Sequence, residues 1–183
     1  MACILQSLGG DVNQLCLSTL NELDVFLFFA RIQCRIQFRR RNGSFQKFSG
    51  EIDYAGAPEK SRVQITMDAS SIVANDPKLT EHLKTPDFFD VAKFPDAKFV
   101  STEIKAGGEG GATHTVTGNL TMHGVTKSVT FPATIAVTAD TASVDADFSI
   151  NRKDFGINYA GAADNLIRDS VVMKLTIRAN KAS

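Results

Sequence analysis

The stretch Ser143-Val144-Asp145-Ala146-Asp147-Phe148-Ser149-Ile150 decides the fold class. Its apolar residues alternate without a break with Ser and Asp. Successive side chains on a β-strand point to opposite faces, so this period of two gathers Val144, Ala146, Phe148 and Ile150 on one buried face. The same pattern recurs on both sides. Val129, Phe131, Ala133, Ile135 and Val137 alternate mostly with Thr, and Val171, Met173, Leu175 and Ile177 alternate with Val172, Lys174, Thr176 and Arg178. Earlier in the chain, Val63, Ile65 and Met67 alternate with Gln64, Thr66 and Asp68, and weaker alternation marks residues 51–54, 98–104 and 113–122. Val and Thr dominate these runs, as a pleated surface prefers.

Turn residues separate the runs: Ala55-Gly56-Ala57-Pro58, Gly107-Gly108-Glu109-Gly110-Gly111, His123-Gly124 and Ala139-Asp140-Thr141. Most connections are too short to hold a helix, which predicts an antiparallel, all-β barrel or sandwich and not a parallel α/β sheet. One stretch differs. Asn75-Asp76-Pro77 offers an N-cap and a first-turn proline, so a short helix is expected near residues 76–84. Phe88, Phe89, Phe94 and Phe99 follow, punctuated by Pro86 and Pro95, and are expected to plug one end of the sheet.

The composition is that of an ordinary globular chain of one domain, with a single bias: 13 Phe, two Tyr and no Trp. Aromatic surface without a polar handle suits a dry core or an apolar cavity. Lys plus Arg equal Asp plus Glu at 20 each, so the basic footprint of a nucleic-acid binder is lacking. No apolar run approaches the length of a membrane span, and Met1 to Gly10 carries none of the basic residues that open a secretory signal. As written, the chain is expected in the cytoplasm, or in the periplasm if its start is altered. All three cysteines, Cys3, Cys16 and Cys34, precede residue 43, so no disulfide framework or Cys-x-x-Cys zinc site is expected in the body.

Read in order, several motifs resemble the YceI-like family of lipid- or polyisoprenoid-binding proteins. They are Leu83-Lys84-Thr85-Pro86-Asp87-Phe88-Phe89-Asp90-Val91, Lys93-Phe94-Pro95, Phe99-x-Ser101-Thr102, Val116-Thr117-Gly118-Asn119-Leu120-Thr121-Met122-His123-Gly124-Val125-Thr126-Lys127, and Arg152-Lys153-Asp154-Phe155-Gly156-Ile157. The resemblance runs from about residue 43 to the C-terminus. It implies an extended, lipocalin-like antiparallel β-barrel of about eight strands around an elongated channel. It further implies a bacterial protein, often periplasmic or dimeric, connected with isoprenoid transport and stress. The expected ligand is a long apolar amphiphile such as a polyisoprenoid, a quinone or a fatty-acid-like lipid.

Residues 1–42 depart from the family, whose members usually open with an Asp-Pro-x-His-Ser-x-Val-x-Phe pattern. Residues 25–30 are continuously apolar and residues 31–41 are basic, with no turn chemistry that docks them on a barrel. Ile32, Cys34, Ile36 and Phe38 nonetheless share one face, so a makeshift first strand is physically allowed. Read one base later, one codon choice for residues 30–38 spells His-Ala-Ser-Ser-Val-Ala-Phe-Ser-Phe. The hypothesis is a frameshift in this segment, and an unbroken, well-covered frame on resequencing removes it.

The residues expected to meet the ligand are Val63, Ile65, Met67, Phe88, Phe89, Phe94, Phe99, Val116, Leu120, Phe131, Phe148, Ile150 and Phe155, with Arg152 as a cation at the channel mouth. Each apolar position reads equally as plain core, since a small barrel is either filled by side chains or holds a ligand. The alternative reading makes Arg152 and Lys153 a surface turn beside Asp154. Asp87 and Asp90 read as solvated. His82, His114 and His123 lack ligand-like spacing, and no Gly-x-Ser-x-Gly elbow or phosphate-cradling loop occurs. No catalytic residue, metal or cofactor is therefore expected. Two alternatives stay open: a lipid-modifying enzyme with His82 or His123 as base, and a filled structural or interaction barrel.

Overall fold

The computed structural model describes residues 26–38, 41–162, 165–166 and 168–181. In chain order the strands are β1 (Phe26–Phe38), β2 (Arg41–Phe45), β3 (Phe48–Tyr54), β4 (Arg62–Asp68), β5 (Ile72–Ala74), β6 (Asp96–Ala106), β7 (His114–Met122), β8 (Val125–Val137), β9 (Thr141–Asn151), β10 (Gly161–Ala162), β11 (Asn165–Leu166) and β12 (Ser170–Lys181). One helix, α1 (Pro77–Leu83), lies between β5 and β6. It begins where Asn75-Asp76-Pro77 predicts: the Asp76 carboxylate accepts from Lys78 N at 2.9 Å, and Pro77 occupies the first turn.

The main sheet runs β12-β9-β8-β7-β6-β4-β3-β1, and β1 pairs back onto β12, so the antiparallel ring closes with eight strands. Strand β1 is shared among three neighbours. Phe26–Phe29 face Glu51–Tyr54 of β3, Phe28–Gln37 face β12, and Arg35–Phe38 face β2. Among the described residues the sheet begins at Phe26. The makeshift strand is the reading that holds: the register sets Ile32 opposite Ile177 and Ile36 opposite Met173, both buried in β12. Closure accounts for it, because without β1 both β3 and β12 would present unpaired edges.

Strand β2 leaves the ring and pairs with β5, making a small flap beside α1. The bend between β2 and β3 is fixed by Ser71, whose hydroxyl accepts from Gln46 N at 3.1 Å and from Lys47 N at 3.0 Å. In β6 the register slips between Ser101 and Glu103. This bulge lets the buried Ser101 hydroxyl accept from Val63 N at 2.8 Å.

The ring is continuous but uneven. Strand β8 pairs with β7 over its whole first two thirds, from Val125 to Ala133, yet with β9 only from Ala133 to Val137. The break falls at Pro132, which has no amide hydrogen to give a neighbour. Beyond it, Asp147–Asn151 of β9 pair with β12 alone.

The β7–β8 hairpin turns on His123-Gly124 with φ of 51° and 75°. Glycine is required at the second position twice over, because the Phe94 ring also lies where a Cβ would stand.

Candidate functional site

The end of the barrel near β5 and α1 is covered by a cap that belongs to no sheet. Four backbone bonds tie the cap to itself: Phe88 N donates to Thr85 O at 3.0 Å, Asp90 N to Thr85 O at 2.9 Å, Phe89 N to Leu83 O at 3.1 Å and Val91 N to Lys84 O at 3.2 Å. These turns aim Phe88 and Phe89 at the sheet, where they are 2% and 4% exposed. Phe89 meets Phe45 edge-on at 5.7 Å, and Phe88 packs between His82 at 5.0 Å and Tyr159 at 5.3 Å.

Asp90 departs from the solvated reading. It is buried, with φ of 44°, because its carbonyl accepts from Lys93 N at 2.9 Å and Phe94 N at 2.8 Å. Its carboxylate is met by Lys93 Nζ at 3.3 Å.

Of the four phenylalanines expected in the plug, Phe88 and Phe89 form it. Phe94 stands at its rim, 5.0 Å from the His123 ring. Phe99 is instead a β6 residue in mid-barrel, 5.6 Å from Phe131, over Gly118, where its ring takes the space of a missing Cβ. Phe131 in turn stacks on Phe148 at 4.1 Å with ring planes 8° apart. Ile65, Met67, Val116, Leu120 and Ile150 are buried in the same core, while Val63 is half-buried towards the far end of β4.

Between cap and sheet lies a pocket of about 20 Å³ lined by Phe88, Phe89, Met122, Ile150, Arg152, Ile157, Val171 and Met173. That holds roughly one water-sized sphere, against ~300–1,000 Å³ for sites that hold drug-sized ligands. Aromatic pairs and aliphatic side chains pack against one another inside the ring. Met122 and Ile157 lie within the quoted motifs but, like Val171 and Met173, were not among the residues expected to meet the ligand. The alternation of β12 is the signal that carried the last two.

Arg152 lines this pocket from within the protein. It is 2% exposed, in a 3-10 turn (Arg152–Phe155) that follows β9. Its Nη1 donates to Ile157 O at 2.7 Å, its Nε to Arg168 O at 3.2 Å, and its Nη2 to Asp169 Oδ1 at 2.9 Å. Asp169 is an acidic partner of Arg152, and Lys153 Nζ joins the same carboxylate at 2.8 Å. The Lys153 hydrogen bond, aided by the charges of Lys153 and Arg152, holds the Asp169 carboxyl below its ordinary value. Phe155, 1% exposed, anchors the turn, and its carbonyl lies 3.1 Å from His123 Nδ1.

The three histidines do not converge. His82 Nε2 is 2.9 Å from Asp87 Oδ2 on the cap, His114 is 3.6 Å from Glu59 at the opposite end, and His123 serves the β7–β8 turn. Among the described residues no group of three or more His, Cys, Asp or Glu could hold a metal ion, and no helix is long and apolar enough to cross a membrane.

Comparison with known proteins fits this geometry. The YceI-like domain profile matches residues 29–179. A UPF0312 protein of Pseudomonas putida is 39% identical over 133 residues, which cover 69% of this chain and 68% of that protein. Among solved structures, Burkholderia cenocepacia BcnA superposes with a TM-score of 0.71 at 26% identity, covering 80% of this chain and 95% of that one. A polyisoprenoid binding domain from Saccharophagus degradans gives 0.64 at 16% identity, covering 88% and 100%, a likeness of fold alone.

Proposed function

Because this chain belongs to the YceI-like family, we propose that it binds a long apolar amphiphile, such as a polyisoprenoid, a quinone or a fatty-acid-like lipid, inside the capped end of the barrel, as a carrier or store. The observation that carries this reading is the cap itself. Phe88 and Phe89 close an apolar end of the ring from a segment bonded chiefly to itself, so it can lift without breaking the ladder. The name of the Saccharophagus domain supports the ligand class.

The described state is the closed one, and energetics then select long ligands. Exposing two phenylalanines costs about 1.5–3 kcal/mol each, while each buried CH₂ returns roughly 0.8 kcal/mol. A tail of only about four to eight carbons merely offsets the cap, and association carries a further cost of ~4 kcal/mol or more. Holding such a tail needs no bond chemistry, so the protein acts here as a binder and not as an enzyme.

Native mass spectrometry and organic extraction of freshly purified protein test this. The expected result is a long apolar molecule released on denaturation. A clean ligand-free mass, with no uptake of quinone or fatty probes, overturns it. That outcome supports the second reading which the filled interior favours, a structural or partner-binding barrel.

A further inference from the structure

The ring has a lateral seam. From Val125 to Pro132, β8 has no partner on its β9 side among the described residues, and Asp147–Asn151 of β9 have none on their β8 side. The seam is closed above by the Arg152–Phe155 turn, held to the β7–β8 hairpin through His123, and below by the pair Ala133–Ala146. Between these closures only side chains fill it. Phe148 projects inward from β9 and stacks on Phe131, yet it is only half-buried, whereas its β9 neighbours on the same face, Ala146 and Ile150, are buried.

A second observation agrees. Leu120 and Lys127 are paired across β7 and β8, so both belong to the inner face. Leu120 is 4% exposed, but Lys127 is exposed and makes no ion pair among the described residues. Along the seam, then, the inner face of β8 reaches solvent.

We infer that this seam is the entry portal: an apolar chain passes sideways between β8 and β9 as Phe148 rotates off Phe131, and the cap yields to the tail from inside. The inference rests on the lipid-binding reading and adds a route to it. Where a ladder is continuous, such passage would leave backbone groups unpaired in an apolar setting. At the seam the backbone is already unpaired, and a rotamer change suffices.

Continuing the β8–β9 register past Ala133–Ala146 brings Thr130 opposite Ser149, both on the outer face. The test places cysteines there, Thr130→Cys and Ser149→Cys, with Cys3, Cys16 and Cys34 changed to Ser. A short bis-maleimide joins the pair, mass analysis selects bridged molecules, and stopped-flow fluorescence follows uptake of cis-parinaric acid. Uptake by the bridged protein should slow by roughly tenfold or more against the same variant capped singly with N-ethylmaleimide, since passage through a gate is then blocked. Phe148→Ala should speed uptake, with folding checked by circular dichroism. Equal rates in bridged and singly capped protein overturn the portal and leave the binding reading standing. No uptake by the unmodified protein overturns the binding reading and the portal with it.

Discussion

Replacing Phe88 by Ala tests the cap where it meets the sheet. The side chain is 2% exposed and touches two rings, His82 at 5.0 Å and Tyr159 at 5.3 Å. Buried Phe→Ala changes cost about 3–5 kcal/mol, combining lost transfer energy with a cavity term of roughly 24 cal/mol per Å³. A void on the order of 100 Å³, merged with the existing pocket, accounts for about 2.4 kcal/mol of that sum. Global stabilities of ~5–15 kcal/mol leave the variant folded, with a melting temperature lower by roughly 6–20 °C. The void would be apolar, and such cavities stay dry and accept benzene. Benzene at about 100 times its dissociation constant should therefore restore ~2.7 kcal/mol. Urea melts of both proteins, with and without benzene, measure this. A loss within about 0.5 kcal/mol, the range of an ordinary surface change, refutes the packed cap. A full loss without benzene rescue refutes the proposition that the space beneath it is apolar and continuous with the pocket.

Three further outcomes follow from the same geometry. Gly124→Ala should destabilise by more than Gly56→Ala: both have positive φ, worth about 1–2 kcal/mol in a residue with a side chain, but only Gly124 is crowded by Phe94; equal thermal shifts contradict the crowding. Arg152→Lys should cost about 2–4 kcal/mol in chemical denaturation, because an ammonium cannot span the Ile157 and Arg168 carbonyls and Asp169 at once; a neutral substitution removes the fork from the account. Asp169→Asn probes pH. The folded carboxyl sits below its ordinary value, so its contribution is present above roughly pH 3.9 and is lost as pH falls through the lower folded value. The stability gap between wild type and variant should hold near neutrality and shrink in acid, and a gap independent of pH refutes the pairing.

What the sequence discloses and what it hides divide along physical lines. Local chemistry is plain: the Asp76-Pro77 helix start, the His123-Gly124 turn and the alternation of β9 and β12 each depend on a few adjacent residues. Non-local closure is not. Residues 26–38 show no clean pattern, and β1 earns its place only because β3 and β12 would otherwise end in open edges. Asp90 looks like a solvated acid, and only the turn in which its carbonyl accepts from Lys93 N and Phe94 N gives it burial and a positive φ. Pro132 did carry a legible warning of a broken ladder inside an otherwise regular strand. Whether thirteen phenylalanines fill a ring or line a hollow depends on side-chain volumes meeting in space, which no spacing rule encodes.

The central claim is that an apolar tail takes the place now held by the cap phenylalanines. A crystal structure of the protein loaded with a long-chain quinone tests it most directly. The account predicts the tail running beside Ile150, Val171 and Met173, with Phe88 and Phe89 displaced from the pocket they line. A quinone bound elsewhere, over a cap and interior unchanged from the closed state, contradicts it.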